Sequence, residues 1–212
     1  MENINKAYDQ LQNIYGSPNL NSVYGYGKRN NAKYALVFMN PTRRNIATDK
    51  SWTGIRAQWL GTKQVWSFLA ECGFISEETN TKIQSKKPSQ WTAEFCQEVY
   101  DDVIEHGVWI TNLAKCTQED ARELPDEVFL NYLDLLKQEL SLVNPEKIIL
   151  FGNQVSSIVL NKKICVSQVR KEKHNLTINN KVYCAYAVYY PVGNGRFNQP
   201  NAVEDILQIK QL

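Results

Sequence analysis

Two asparagines stand at the ends of apolar runs, where a neutral polar group can do chemistry. Asn40 follows the run 34–39, and Asn112 follows the run 108–111. A primary amide offers both an acceptor and donors without a charge to desolvate. Such a group can orient a water molecule or read the edge of a nucleobase. Pro41 comes directly after Asn40, and proline disfavours helix at the residue before it. Asn40 is thereby forced into an extended exit from its strand, although Asn-Pro is also a common turn starter. Asn112 lies in Trp109-Ile110-Thr111-Asn112-Leu113-Ala114-Lys115-Cys116. It suits base reading, or equally a loop-stabilising Asx turn.

Two more segments have the same placement. In Leu150-Phe151-Gly152-Asn153 a glycine allows close backbone approach, or simply turns a strand into a helix. In Tyr190-Pro191-Val192-Gly193-Asn194-Gly195-Arg196, two glycines flank an asparagine ahead of an arginine. That is a tight polar loop able to approach phosphates.

Charge is segregated along the chain. Residues 28–63 hold eight basic side chains and one acidic one, whereas residues 94–139 hold twelve acidic and three basic. Either these charges coat solvated faces, or they form one basic face and one acidic back. A basic face carrying Arg43, Arg44 and Arg56, interleaved with Trp52, Trp59, Tyr190 and Phe197, suits an anionic polymer.

Other chemistries are argued against. The five cysteines are an odd number and widely spaced, without CxxC pairs, so no disulfide framework or zinc ribbon is expected. The two histidines, His106 and His174, are far apart, and no metal or cofactor is expected. Neither GxSxG nor a Walker loop is present. No apolar run approaches the roughly 18 residues of a membrane span. The segment Met1-Glu2-Asn3-Ile4-Asn5-Lys6 lacks the basic-then-apolar order of a leader. A cytoplasmic monomer is expected.

These residues need a frame to hold them. At 212 residues and 43% hydrophobic content, one domain over 1–212 is expected. Continuous apolar runs at 34–39 and 147–151 read as strands buried on both faces, and 108–111 as a short strand. Helices are expected over 4–15, over 62–72 stopped by Gly73, and from Ser89 or Thr92 to His106. A further helix opens at Pro125 with Leu130, Leu133, Leu136 and Leu140 inward, and others cover 153–160 and 201–210, the last capped by Asn201. Residues 166–169 and 176–178 read as strands, Asn179-Asn180 as a hairpin turn and 182–190 as a last strand. The alternation predicts an α/β fold: a three-layer α/β/α sandwich with a central, mostly parallel four-stranded sheet and a small hairpin. Ligands in such folds sit beyond the carboxyl ends of the strands, which is where the four segments lie.

In this order the segments resemble the uracil-DNA glycosylase superfamily over about residues 33–205. Met39-Asn40-Pro41 is similar to the first motif of the mismatch-specific and single-strand-selective branches. Trp66-Ser67-Phe68-Leu69 with Cys72-Gly73-Phe74, and Thr111-Asn112-Leu113-Ala114-Lys115-Cys116, resemble further family segments. The run 145–152 looks like a family strand, and Tyr190-Pro191-Val192 falls where the family carries His-Pro-Ser or Asn-Pro-Ser. There are departures. Phe38 and Thr42 replace the glycines flanking the first motif, and Tyr190 replaces the histidine or asparagine of the last. Residues 192–197 offer no clear counterpart to the family's apolar wedge, and the cysteine spacing of the iron–sulfur branches is absent.

The resemblance implies hydrolysis of a base–sugar bond in single- or double-stranded DNA, with the damaged base flipped into a pocket. It implies that Asn40 orients the attacking water and that Tyr190 stands at the catalytic contact of the last motif. Asn112 and Met39 would recognise the base, with Trp59 or Trp52 stacked on it. Arg43, Arg44, Arg56, Gly193, Asn194, Gly195 and Arg196 would hold DNA. Lys115 can be read as a Schiff-base nucleophile, but a phosphate-binding or structural lysine is preferred. Two other readings stay open: a non-catalytic nucleic-acid-binding protein of the same fold, and an enzyme of free nucleotides.

Overall fold

The computed structural model describes residues 1–212. Three apolar runs become strands: β2 (Tyr34–Phe38), β3 (Val108–Asn112) and β4 (Lys147–Phe151). They join a sheet of six with β1 (Tyr26–Gly27), β5 (His174–Ile178) and β6 (Lys181–Val188), in the order β1-β3-β2-β4-β6-β5. β3, β2, β4 and β6 run parallel, whereas β1 and β5 are antiparallel edges. The sheet is therefore larger than four strands. The expected hairpin is not a separate feature, because β6 is itself the fourth parallel strand and β5 folds back as the edge. Asn179 and Asn180 both have positive φ, 48° and 65°, as a tight hairpin turn requires.

Helices cover both faces, and the alternation of side chains along each strand decides which core each residue joins. Leu36, Phe38, Ile110, Ile149, Phe151 and Val188 face α2 (Gln64–Glu71), α4 (Ala93–Glu105) and α7 (Gln199–Ile209). Ala35, Val37, Trp109, Ile148, Leu150 and Ala185 face α1 (Glu2–Tyr15), α5 (Asp126–Val143) and α6 (Asn153–Leu160). Thr92 caps α4 by accepting from the Phe95 N–H at 3.2 Å. Gly73 and Gly107 end their helices at φ 65° and 74°, conformations that glycine adopts without a Cβ penalty. Between them lies α3 (Glu77–Ser85), capped by Ser76.

Three local readings are corrected. Residues 166–168 form a 3₁₀ turn, not a strand. The Val166 N–H bonds to Asn153 Oδ1 at 2.9 Å rather than to a neighbouring strand. Asn201 lies inside α7, which starts at Gln199 with Pro200 in its first turn, where a missing N–H costs nothing. The buried stripe of α5 runs through Phe129, Tyr132, Leu136, Glu139, Leu140 and Val143, leaving Leu130 exposed.

The charge segregation does not fold into one basic face. Lys33 leads into β2, and the Lys28 N–H bonds to Val108 at the start of β3. Those bases, with Arg29, flank the amino ends of the parallel strands. Arg43 and Arg44 follow the carboxyl end of β2. The acidic segment is divided too, since α4 and α5 lie on opposite sides of the sheet. Neighbours in sequence here lie at opposite ends of 5-residue strands.

Candidate active site

The asparagine-bearing segments are joined by a backbone ladder that continues past the sheet. Within the sheet Phe38 pairs with Asn112. Beyond it, the Leu113 and Ala114 N–H groups donate to the carbonyls of Phe38 and Met39 at 2.8 and 3.0 Å. Gln118 then donates to Pro41 at 3.1 Å, and Arg43 to Gln118 at 2.9 Å. Pro41 has no N–H to offer, so the extended exit forced by Asn-Pro is matched by a partner that needs only its carbonyl. Asn40 and Asn112 thus project from two strands that run side by side.

Asn112 is almost fully buried, and its amide orientation is dictated by a neighbour. Gln58 Nε2 lies 3.3 and 3.4 Å from the carbonyls of Val23 and Tyr24. Only the nitrogen of that amide can face two acceptors, so Oε1 faces the other way and accepts from Asn112 Nδ2 at 2.9 Å. The remaining Asn112 atom, Oδ1, is buried without a hydrogen-bond partner. An orphaned buried acceptor is costly and calls for an explanation.

A second orphan lies in the same neighbourhood. Trp59 Nε1 is buried and unpaired, and the Trp59 ring meets the Phe38 ring edge-on at 5.1 Å. Trp59 also has φ 64°, a strained conformation for a bulky residue. Its carbonyl holds that conformation by accepting from Trp66 Nε1 at 3.0 Å and Thr62 Oγ1 at 2.6 Å. Phe38 stacks on Phe151 at 4.3 Å and meets Tyr190 at 6.1 Å. Phe38 therefore brings together Asn112, Trp59 and Tyr190, with Asn40 two residues further on.

Tyr190 is half-buried, and burial pushes its phenol above the ordinary range. The hydroxyl stays a neutral donor at physiological pH. Gly195 belongs to the 3₁₀ turn Gly193–Asn198, where a Cβ would run into the Tyr190 carbonyl oxygen. Asn194 and Arg196 are exposed on that turn. Phe197 is 80% exposed with the Arg196 guanidinium 5.1 Å above its ring. It is an exposed apolar side chain at the end of the 192–197 segment. Asn40 is also half-buried. Its Nδ2 donates to the Pro41 carbonyl at 3.2 Å, leaving Oδ1 free to accept.

Other expected site residues are placed elsewhere. Lys115, expected on the DNA-binding surface, is 0% exposed and does not reach that surface. Its ammonium pairs with Glu139 at 2.9 Å, donates to the Asn112 carbonyl and sits 4.6 Å from the Tyr8 ring centre. Burial lowers the Lys115 pKa against the pull of Glu139. Burial also pushes Glu139 up, but Lys115, Thr111 and Trp109 outweigh it and hold the carboxyl below its ordinary value. Met39 packs its side chain into the opposite core, away from the Phe38 group. Arg56 is committed to Asp9 of α1 at 2.7 Å and to the Tyr24 ring. Trp52 packs against the core that holds α4, with Gly54 under its ring, and donates to the Ile55 carbonyl at 2.9 Å. Arg44 is exposed, and Arg43 is exposed while sharing Glu119 at 3.0 Å. No three His, Cys, Asp or Glu side chains gather into a metal cage.

Gln58 and Glu139, which bond to Asn112 and Lys115, were not expected from the sequence. Glu139 had a signal, since it falls three and four residues from Leu136 and Val143 on an apolar stripe. Gln58, in an irregular loop, had none.

A model of the Uracil DNA glycosylase superfamily matches residues 24–208. The chain belongs to that superfamily. A search of curated proteins finds no match. The superfamily match spans β1 through most of α7, and so includes every strand and the whole Phe38 neighbourhood. No helix is long and apolar enough to cross a membrane.

Proposed function

We propose that this chain is a monofunctional DNA glycosylase that hydrolyses the N-glycosidic bond of uracil or another deaminated base flipped out of DNA. The observation that carries the reading is the pair of buried, unpaired polar atoms near Phe38. Asn112 Oδ1 is an acceptor and Trp59 Nε1 a donor. A lactam edge, –NH–C(=O)–, has the complementary donor and acceptor, and deamination creates such an edge on cytosine or adenine. Asn40 supplies an acceptor to orient water at the sugar carbon; an amide positions that water rather than deprotonating it fully. Tyr190, a neutral donor, faces the charge that develops on the leaving base. Phe197 and Arg196 supply a stacking surface and a cation for the flanking strand.

The test is incubation with oligonucleotides carrying uracil, hypoxanthine or xanthine, followed by alkaline cleavage at abasic sites. Strand breaks at the modified base support the reading, and intact strands with all three bases refute it. One observation favours a second reading. Phe38 puts a ring, stacked on Phe151, where the motif otherwise has glycine. If that ring fills the room a base needs, the chain binds DNA without cutting it, and the same assay gives binding without breaks.

Asn112→Asp introduces a buried carboxyl close to the Lys115 ammonium, which favours its ionised form; that charge faces Gln58 Oε1 and repels a leaving anion. Excision of uracil is expected to fall about tenfold or more, with a changed order of preference among bases, read from single-turnover rates. The DNA affinity should also depend on salt, but modestly. Arg44, Arg196 and the shared Arg43 amount to two or three phosphate contacts, for a log–log slope of about −2 to −3. Titration at several salt concentrations checks this, and a flat plot excludes the phosphate role of these arginines.

A further inference from the structure

We infer that Gln58 is a specificity-determining positioning residue, which fixes which end of the Asn112 amide faces the base; this rests on the glycosylase reading. An unconstrained asparagine can present either its oxygen or its nitrogen by a half-turn of the side chain. In one orientation it accepts from a ring N–H, as uracil and hypoxanthine have. In the other it donates to a bare ring nitrogen, as cytosine and adenine have. An asparagine free to turn would not distinguish a deaminated base from its parent.

Gln58 removes that freedom. It is 1% exposed. Its own orientation is set by the Val23 and Tyr24 carbonyls, and its backbone carbonyl is held by the Tyr100 hydroxyl at 2.9 Å. Its Oε1 then accepts only a donor, which is Asn112 Nδ2. Turning the Asn112 amide over would set two carbonyl oxygens against each other in a buried place. It would also forfeit the Gln58–Asn112 bond. The oxygen of Asn112 is consequently the atom left for the base, and it is the atom found without a partner. Gln58 touches no base in this arrangement; it acts through Asn112 alone.

The experiment compares the parent with Gln58→Met and Gln58→Glu on two oligonucleotides that differ at one nucleotide, deoxyuridine or deoxycytidine. Single-turnover excision and equilibrium binding are both measured, and thermal melting verifies folding. Methionine keeps the volume and removes the acceptor. A buried glutamic acid, held protonated by its surroundings, keeps a donor for the Val23 or Tyr24 carbonyl and an oxygen for Asn112. The uracil-to-cytosine ratio is expected to fall about tenfold or more in Gln58→Met, the scale of one buried hydrogen bond, and to be retained in Gln58→Glu. A purely structural Gln58 would slow both substrates alike and leave the ratio unchanged, which overturns the proposal while the glycosylase reading stands. If the parent cuts neither oligonucleotide, uracil is not the base it excises, the glycosylase reading is left to the three-base assay, and the binding ratio decides the role of Gln58. A parent preference for deoxyuridine that is lost in Gln58→Met supports the positioning role. No preference, or an unchanged one, overturns it. If Gln58→Met does not fold, Gln58→Glu decides, since retention of the ratio supports the role and its loss overturns it.

Discussion

Asn40→Ala should slow single-turnover base excision by about 10²-fold or more, the scale of losing one contact made in the transition state. DNA affinity should hardly move. The asymmetry follows from what Asn40 touches. Its one hydrogen bond within the chain runs 3.2 Å to the next residue, so its removal loosens no other element. The arginines and Phe197, which would contact the strand, stand on other residues of the loops. Rates and binding constants on one lesion-bearing oligonucleotide decide the matter. Full activity in Asn40→Ala would mean that the motif at 39–41 has been assigned the wrong role.

Lys115→Met is expected to act on stability. Removing one member of a buried ion pair leaves the other charge uncompensated, which typically costs about 3–5 kcal/mol. Glu139 would still accept from Tyr8 and Trp109 at 2.7 and 2.8 Å, but it would lose its only cation. The double variant Lys115→Met/Glu139→Leu should recover most of the loss, because two apolar groups need no partners. Urea unfolding of both variants measures this. A lysine that held a phosphate would behave differently: unfolding would be unchanged and the salt slope of DNA binding would shrink by about one. The pair also supports the proposed site, since the Lys115 ammonium bonds to the Asn112 carbonyl, next to the amide proposed to read the base.

The legible parts of this fold were those that repeat. Continuous apolar runs marked β2, β3 and β4, since a strand covered on both faces has no polar side to interrupt it. Gly73 and Gly107 marked helix ends because left-handed backbone strongly favours glycine. What could not be read was long-range. The two residues of β1 carry no pattern of their own and owe their pairing to β3. Residues 166–168 have strand-like composition, yet Asn153 claims the Val166 N–H, a contact 13 residues back in sequence. At the proposed site, Asn40, Asn112 and Tyr190 stood out because each lies at or just past the carboxyl end of a strand. Of the two roles open for Lys115, phosphate-binding or structural, the structural one could not be singled out in the sequence, because its burial depends on Glu139, 24 residues away in another element. Met39 and Phe38 are adjacent, yet alternation sends them to opposite cores.

The ladder that joins 38–43 to 113–118 bears on entropy. Fixing a residue's backbone costs roughly 1–2 kcal/mol, and a site built from two loose loops would meet that cost at every encounter with substrate. Here both asparagine-bearing segments lose their conformational freedom once, when the chain folds, because each supplies the other's hydrogen bonds. The amides that would meet water and base are therefore ordered before DNA arrives, and binding energy from the flanking strand remains free to extrude the base.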